Sequence, residues 1–158
     1  MDLPDDFFMK AALMEAVTAM DRGEIPVGAV VVCNNMIIAR AHNLTETLND
    51  PTAHAEMQAI TAACAHLGGK YLDKCSLYVT LEPCAMCAGA LFWSRTGKLV
   101  YGAADEKRGY TVTGKNILHK KTRVLPSVME SECSSILKDF FKTKRRDLTG
   151  DNNEVSKN

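Results

Sequence analysis

Long apolar runs are missing from this chain, and their absence removes one class at once. No stretch of the 158 residues approaches 18 uncharged apolar positions, so the sequence predicts no membrane span. The opening "MDLPDDFFMK" is acidic and lacks an apolar h-region, so it does not read as a signal peptide. A cytoplasmic location is therefore the expectation. In that reducing setting the six cysteines point to metal binding or catalysis before structural disulfides. Internal repeats and low-complexity linkers are also lacking, and the length suits one domain. Net charge is absent as well: 19 Lys+Arg balance 19 Asp+Glu, and a pI near 6.9 argues against an indiscriminate nucleic-acid binder.

The zero net charge conceals an asymmetry. Residues 1–79 hold ten acids and five Lys/Arg, whereas 80–158 hold nine acids and fourteen Lys/Arg. Between Lys107 and Met129 there is no acid, but Lys107, Arg108, Lys115, Lys120, Lys121 and Arg123 are present. A second basic cluster, "KTKRR", fills 142–146. Such runs are either solvated faces or the footprint of an anionic partner such as nucleic acid.

What is present is strong periodicity. Met9, Ala12, Leu13, Ala16, Val17 and Met20 recur at the helical period, predicting an amphipathic helix over 5–22 that Gly23 ends. "VGAVVVC" (27–33), the turn signal Asn34-Asn35 and "MIIARAHN" (36–43) predict a hairpin. Gly28 inside the first strand signals close approach by a ligand or by another backbone. A polar loop (44–52) leads to an alanine-rich helix (53–69) whose small residues suggest burial against a sheet. Strand 76–80, helix 84–95 with Pro83 at its entrance, strand 98–103, a basic loop, a short strand at 122–125 and a helix at 131–146 complete the order. The last helix carries a stripe of Cys133, Ile136, Leu137, Phe140 and Phe141. Residues 147–158 read as a polar, flexible tail after a domain spanning 1–146. This order predicts a three-layer α/β/α sandwich on a mixed five-stranded sheet, with an antiparallel hairpin and parallel later strands.

The chemistry concentrates in "TLEPCAMCAGALFWSR" (80–95). Cys84 and Cys87, at i and i+3 in a first helical turn, project from one face, and the helix end stabilises thiolates there. Alone, such a pair is a metal site, a redox dithiol or mere packing. "PTAHAEMQ" opens the preceding helix and places His54 at another helix start, a position a capping histidine also takes. The strand between the two helices allows both N-termini to share one sheet edge, where α/β folds put their ligands. His54, Cys84 and Cys87 are then three ligands with no fourth protein ligand evident, the pattern of a catalytic zinc. Glu56 reaches toward the same spot; in isolation it would be an ordinary first-turn acid. Metal-activated water beside a carboxylate proton shuttle implies hydrolysis at an electrophilic carbon. The motif H-x-E…P-C-x-x-C is the general signature of zinc nucleobase deaminases.

With "HAE" at 54–56 and "PCAMC" at 83–87, the chain resembles the cytidine-deaminase-like superfamily. More narrowly it resembles the bacterial tRNA-specific adenosine deaminases, through "EIPVGAVVV" (24–32), "NDPTAHAEMQAI" (49–60), "LYVTLEPCAMCAGAL" (77–91) and "DFFKTKRR" (139–146). That resemblance implies adenosine-to-inosine conversion at the first anticodon position of tRNA, one zinc per subunit and a homodimer. By position it implies zinc ligation by His54, Cys84 and Cys87, and proton transfer by Glu56. Asn43 and the Ala55 N–H would contact the base, Val27 and Gly28 would wall the pocket, and Asp105 would lie near the flanking nucleotide. Lys107 and Arg108, with Lys144, Arg145 and Arg146 at the last helix, would contact the anticodon stem-loop, while Phe140 and Phe141 serve the core. One departure stands out: after Asp105 the chain reads "EKRGYTVTGKN", with bulky Tyr110 where the family has a small, Gly/Ala-rich stretch.

Three other readings remain. A guanine deaminase acting on a free base shares the Asn-Asp-Pro-Thr-Ala-His-Ala-Glu segment and the same chemistry. A non-catalytic zinc module binding RNA or a partner has no need of Glu56. A redox dithiol would form a Cys84–Cys87 disulfide. Cys33, Cys64, Cys75 and Cys133 are expected to be small core residues.

Overall fold

A computed structural model describes residues 1–114 and 116–150. Lys115 of the basic run and residues 151–158 of the expected tail lie outside the described residues. The element order is α1 (Asp5–Asp21), β1 (Gly28–Cys33), β2 (Met36–His42), α2 (Ala55–Leu67), β3 (Cys75–Leu81), α3 (Ala85–Trp93), β4 (Lys98–Ala103), α4 (Tyr110–Thr113), β5 (Arg123–Leu125) and α5 (Glu130–Gly150). Two features depart from expectation. The basic loop after β4 contains the single-turn helix α4, and α5 continues to Gly150, four residues past the expected domain boundary.

The five strands form one mixed sheet in the order β2-β1-β3-β4-β5. β1 is antiparallel to both β2 and β3, whereas β3, β4 and β5 are mutually parallel. Alternation along the strands builds two apolar layers. Ala29, Val31, Leu77, Val79, Leu99 and Tyr101 face α2 and α3, meeting Ala55, Ala59, Ala63, Ala88 and Leu91. Val30, Val32, Tyr78 and Val100 face the other way, against Phe8, Met9 and Ala12 of α1 and Cys133 of α5. The alanines explain how α2 lies so near the sheet: Ala55, Ala59 and Ala63 are fully buried at one helical face, while Thr61, Ala65 and His66 are exposed. Asp5 fastens the start of α1 to the sheet, accepting hydrogen bonds from Tyr78 Oη (2.6 Å) and Lys98 Nζ (2.9 Å).

Gly28 resolves its own question. A Cβ there would run into Ala12 O, Ala16 N and Glu15 Cβ, so α1 presses directly onto β1. The close approach is by backbone, and Gly28 does not line the cavity described below; the expectation that it walls the pocket is corrected. Of the cysteines without assigned chemistry, Cys75 and Cys133 are buried, and Cys33 and Cys64 are only partly covered.

The topology gathers the functional segments. Antiparallel pairing with β1 makes β2 and β3 run the same way, so the C-terminal ends of β2, β3 and β4 share one edge with the start of β1. α3 begins shortly after the end of β3, and the 43–54 connection from β2 brings the start of α2 to the same edge, where His54 meets Cys84.

Candidate active site

His54 and Cys84 are the N-cap residues of α2 and α3, both with extended backbone (φ −68°, ψ 154° and φ −72°, ψ 174°). The sequence had suggested first-turn positions; the caps lie one residue earlier. Neither side chain caps its helix, which frees both for another partner. Cys87, one turn into α3, is fully buried. The ligating atoms of His54, Cys84 and Cys87 all lie within 4.8 Å of one another. His54 Nδ1 is 3.7 Å from Cys84 Sγ and 3.6 Å from Cys87 Sγ. Tetrahedral zinc, with Zn–S about 2.3 Å and Zn–N about 2.05 Å, holds sulfur and nitrogen roughly 3.6 Å apart. The donor set therefore fits a zinc ion in chemistry and in spacing.

Glu56 is 4% exposed and sits directly beside this cluster. Burial raises its pKa, against hydrogen bonds from its own N–H and from the Cys87 thiol. The cysteines separate in the same field. Hydrogen bonds from Cys87 and His54 pull Cys84 down to about 4, whereas Cys87, the donor in that pair and itself buried, is pushed up. The bond to Cys84 raises His54. Thiolate character is thus available at the mouth of two helix N-termini, where a cation is favoured by the sulfur charge.

His54, Cys84 and Glu56 line a cavity of about 260 Å³, and Cys87 is buried outside that lining. Such a cavity is at the small end for ligand sites and suits a single base. Val27, Asn43, Ala55 and Asp105 line it as the sequence suggested, and Arg108 reaches its rim. Asn43 is buried, and its side-chain oxygen accepts from Thr45 N–H (3.3 Å). Asp105 accepts from Lys107 N–H (3.1 Å) and Arg108 N–H (3.0 Å), so it also shapes its own turn. Lys107 is exposed beside the cavity without lining it, and Lys144, Arg145 and Arg146 lie on exposed turns of α5, also outside the lining. Phe140 is buried as expected, but Phe141 is 45% exposed.

Sequence reasoning missed Ile25, Thr45, Leu81 and two buried acids, Glu24 and Glu82. Glu24 is fully buried and accepts from Thr47 N–H (2.7 Å), Thr47 Oγ1 (3.1 Å) and Glu46 N–H (3.3 Å), holding the loop after β2. Glu82 lines the cavity and bonds the loop after β4. Neither acid's anchoring role leaves a pattern in the sequence. A larger cavity of about 600 Å³ opens at the opposite sheet edge, among Lys74, Arg95, Lys121 and Arg123; the ligating cluster is not there.

Fold and site together define a deaminase of the cytidine-deaminase-like type. The MafB19-like deaminase model matches residues 4–145. The chain belongs to that family and, within it, to the tRNA-specific adenosine deaminases. It is 48% identical over 147 residues to the tRNA-specific adenosine deaminase of Aquifex aeolicus, covering 90% of this chain and 97% of the relative. A solved tRNA:A34 deaminase, from work on A-to-I editing at the wobble position, superposes with a TM-score of 0.78. It is 45% identical and covers 83% of this chain and 99% of its own. A guanine deaminase from Bacillus subtilis is 42% identical with a TM-score of 0.62, over 70% of this chain and 68% of that one.

Proposed function

We propose that this chain hydrolyses adenosine to inosine at the first anticodon position of tRNA and releases ammonia. The observation that carries the reading is the buried Glu56 carboxylate set beside a three-donor His54–Cys84–Cys87 cluster, with Glu56, His54 and Cys84 lining a base-sized cavity. Zinc held by those three side chains, one ion per chain, supplies Lewis acidity toward water. The remaining steps belong to the chain's own groups. Glu56 takes a proton from the attacking water and passes it to the adenine ring nitrogen; it then takes the second proton, from the hydroxyl now on C6, and delivers it to the amine, so that the C–N bond breaks as the C=O bond forms and ammonia leaves. Burial raises its pKa, which makes the carboxylate a stronger acceptor for the first of these transfers. Asn43 and the Ala55 N–H hold the base, and Val27 packs against it. Asp105 and Arg108 stand where a flanking nucleotide would leave the pocket, with Lys107 beside them.

The choice of RNA over a free base rests on extent. The likeness to the tRNA enzyme of Aquifex aeolicus runs along nearly both whole chains, whereas the likeness to the guanine deaminase covers about two thirds of each. The metal donors and Glu56 cannot separate the two substrates, because they do the same work in both. We extend the reading to a homodimer. Trp93 (77% exposed), Leu67, Tyr71 and Met86 present apolar surface on the α2–α3 side of the sheet, and a second copy would cover it.

The test runs two substrates side by side: an anticodon stem-loop with adenosine at its first anticodon position, and free guanine. Inosine and ammonia from the stem-loop are expected. Turnover of guanine with an inert stem-loop would transfer the chain to the guanine deaminases.

A further inference from the structure

Glu82 has no part in the chemistry described above, yet its carboxylate is buried within the wall of the cavity (4% exposed). All its side-chain bonds run to the loop after β4. One oxygen accepts from Asp105 N–H (3.3 Å); the other accepts from Thr111 N–H (3.2 Å) and Thr111 Oγ1 (2.9 Å). Its neighbours join the same seam. Pro83 O accepts from Tyr110 N–H (2.9 Å), and Cys84 forms an isolated antiparallel bridge with Gly109. A Cβ on Gly109 would fall on the Glu82 carboxylate and crowd Asp105 O, so only glycine lets the loop lie this close. Three consecutive residues, Glu82, Pro83 and Cys84, therefore stitch residues 105–111 to the segment that supplies a metal donor.

We infer that Glu82 is a positioning residue: by holding the 105–111 loop against the Glu82–Cys84 segment, it keeps Arg108 at the cavity rim for capture of the anionic substrate. The inference rests on the proposed RNA substrate. Tyr110 does not intrude on the cavity, because its backbone is pinned to Pro83 and its ring is buried in the α2–α3 layer. A carboxylate suits this place because it only accepts, and all three of its partners donate. Glutamine keeps the shape but turns a donor toward donors.

Glu82→Gln tests this in two readouts, with zinc content checked first. Amide hydrogen exchange across 105–113 should speed up, because the protecting acceptor is weakened. On the stem-loop, KM should rise about tenfold, the scale of one lost charge-assisted bond, while kcat moves little. Arg108→Ala should then cost less in the Glu82→Gln background than in the native one, since the arginine is already misplaced. Thr111→Val, which removes only the hydroxyl bond, gives the same pattern more weakly and serves if Glu82→Gln does not fold. Unchanged exchange across the loop overturns the inference. So does a fall in kcat at constant KM, or full additivity with Arg108→Ala. If the native enzyme is inert on the stem-loop, the RNA reading fails separately, and the exchange measurement still decides whether Glu82 holds the loop.

Discussion

Glu56 and the metal donors do different work at the residue scale, and substitution should separate them. Glu56 is not needed to hold an ion, because His54, Cys84 and Cys87 already supply three donors at zinc-compatible spacing. Glu56→Ala should therefore retain about one zinc per chain and lose roughly 10²- to 10⁴-fold in kcat, the usual range for a general acid–base. Cys87→Ala should lose the ion, since two donors bind zinc poorly. Metal analysis beside single-turnover rates reads both; joint loss of metal and activity in Glu56→Ala would make Glu56 structural. Burial supports this division: relieved of its charge, the alanine variant leaves a small cavity but no buried unpaired ion.

The elements are held at the site edge by buried acids, and this makes part of the stability pH-dependent. Burial opposes ionisation of Glu24, but bonds from Thr47, Glu46 and Thr45 outweigh it and hold its pKa below the ordinary 4.5. A carboxyl depressed in the folded state stabilises fully above the unfolded value, and that contribution fades as pH falls from about 4.5 through the folded value. Asp5, depressed by Tyr78 and Lys98 against its own desolvation, acts in the same direction. Melting temperature should therefore fall as pH drops below about 4.5. Glu24→Gln should lower it at neutral pH and flatten the acid limb; an unchanged limb would locate the acid sensitivity elsewhere. These anchors also mark what sequence could and could not reveal. Periods of two and 3.6 made the elements legible, since burial of one face imposes them. The metal cluster was legible because His54 and Cys84 both sit at helix starts that topology forces together. Glu24 and Glu82 were not, because their partners, backbone N–H groups that every such residue carries plus one threonine hydroxyl each, lie some 22 to 29 residues away and leave no recognisable pattern. Gly28 was half legible: its spacing announced close approach, but only packing showed that α1, not a ligand, was the neighbour.

At the scale of the whole molecule, two surfaces should act independently. The apolar α2–α3 side is proposed to meet a second copy, so Trp93→Glu should convert a dimer to a monomer in light scattering while the Glu24 and Glu82 anchors keep the fold; a native monomer refutes that contact. The charged surface concerns RNA. Net charge is zero, so long-range attraction to a polyanion is weak and binding must come from local patches. Two bear on the expected RNA contacts: Lys107 and Arg108 beside the cavity, and Lys144, Arg145 and Arg146 on α5, which lie outside its lining. Each phosphate neutralised by a patch releases condensed counterions, so stem-loop affinity should fall linearly on a log–log plot against salt. Replacing one phosphate-contacting cation lowers the slope by about one. Arg108→Ala should therefore lower both the affinity and the slope. Removing the three α5 cations together distinguishes the patches: a slope reduced by two or three places α5 on the RNA, and an unchanged slope leaves those residues as a solvated helix face. A flat salt response in the native protein would remove phosphate contact from recognition altogether and leave the 260 Å³ cavity, and thus a free base, as the determinant of substrate choice.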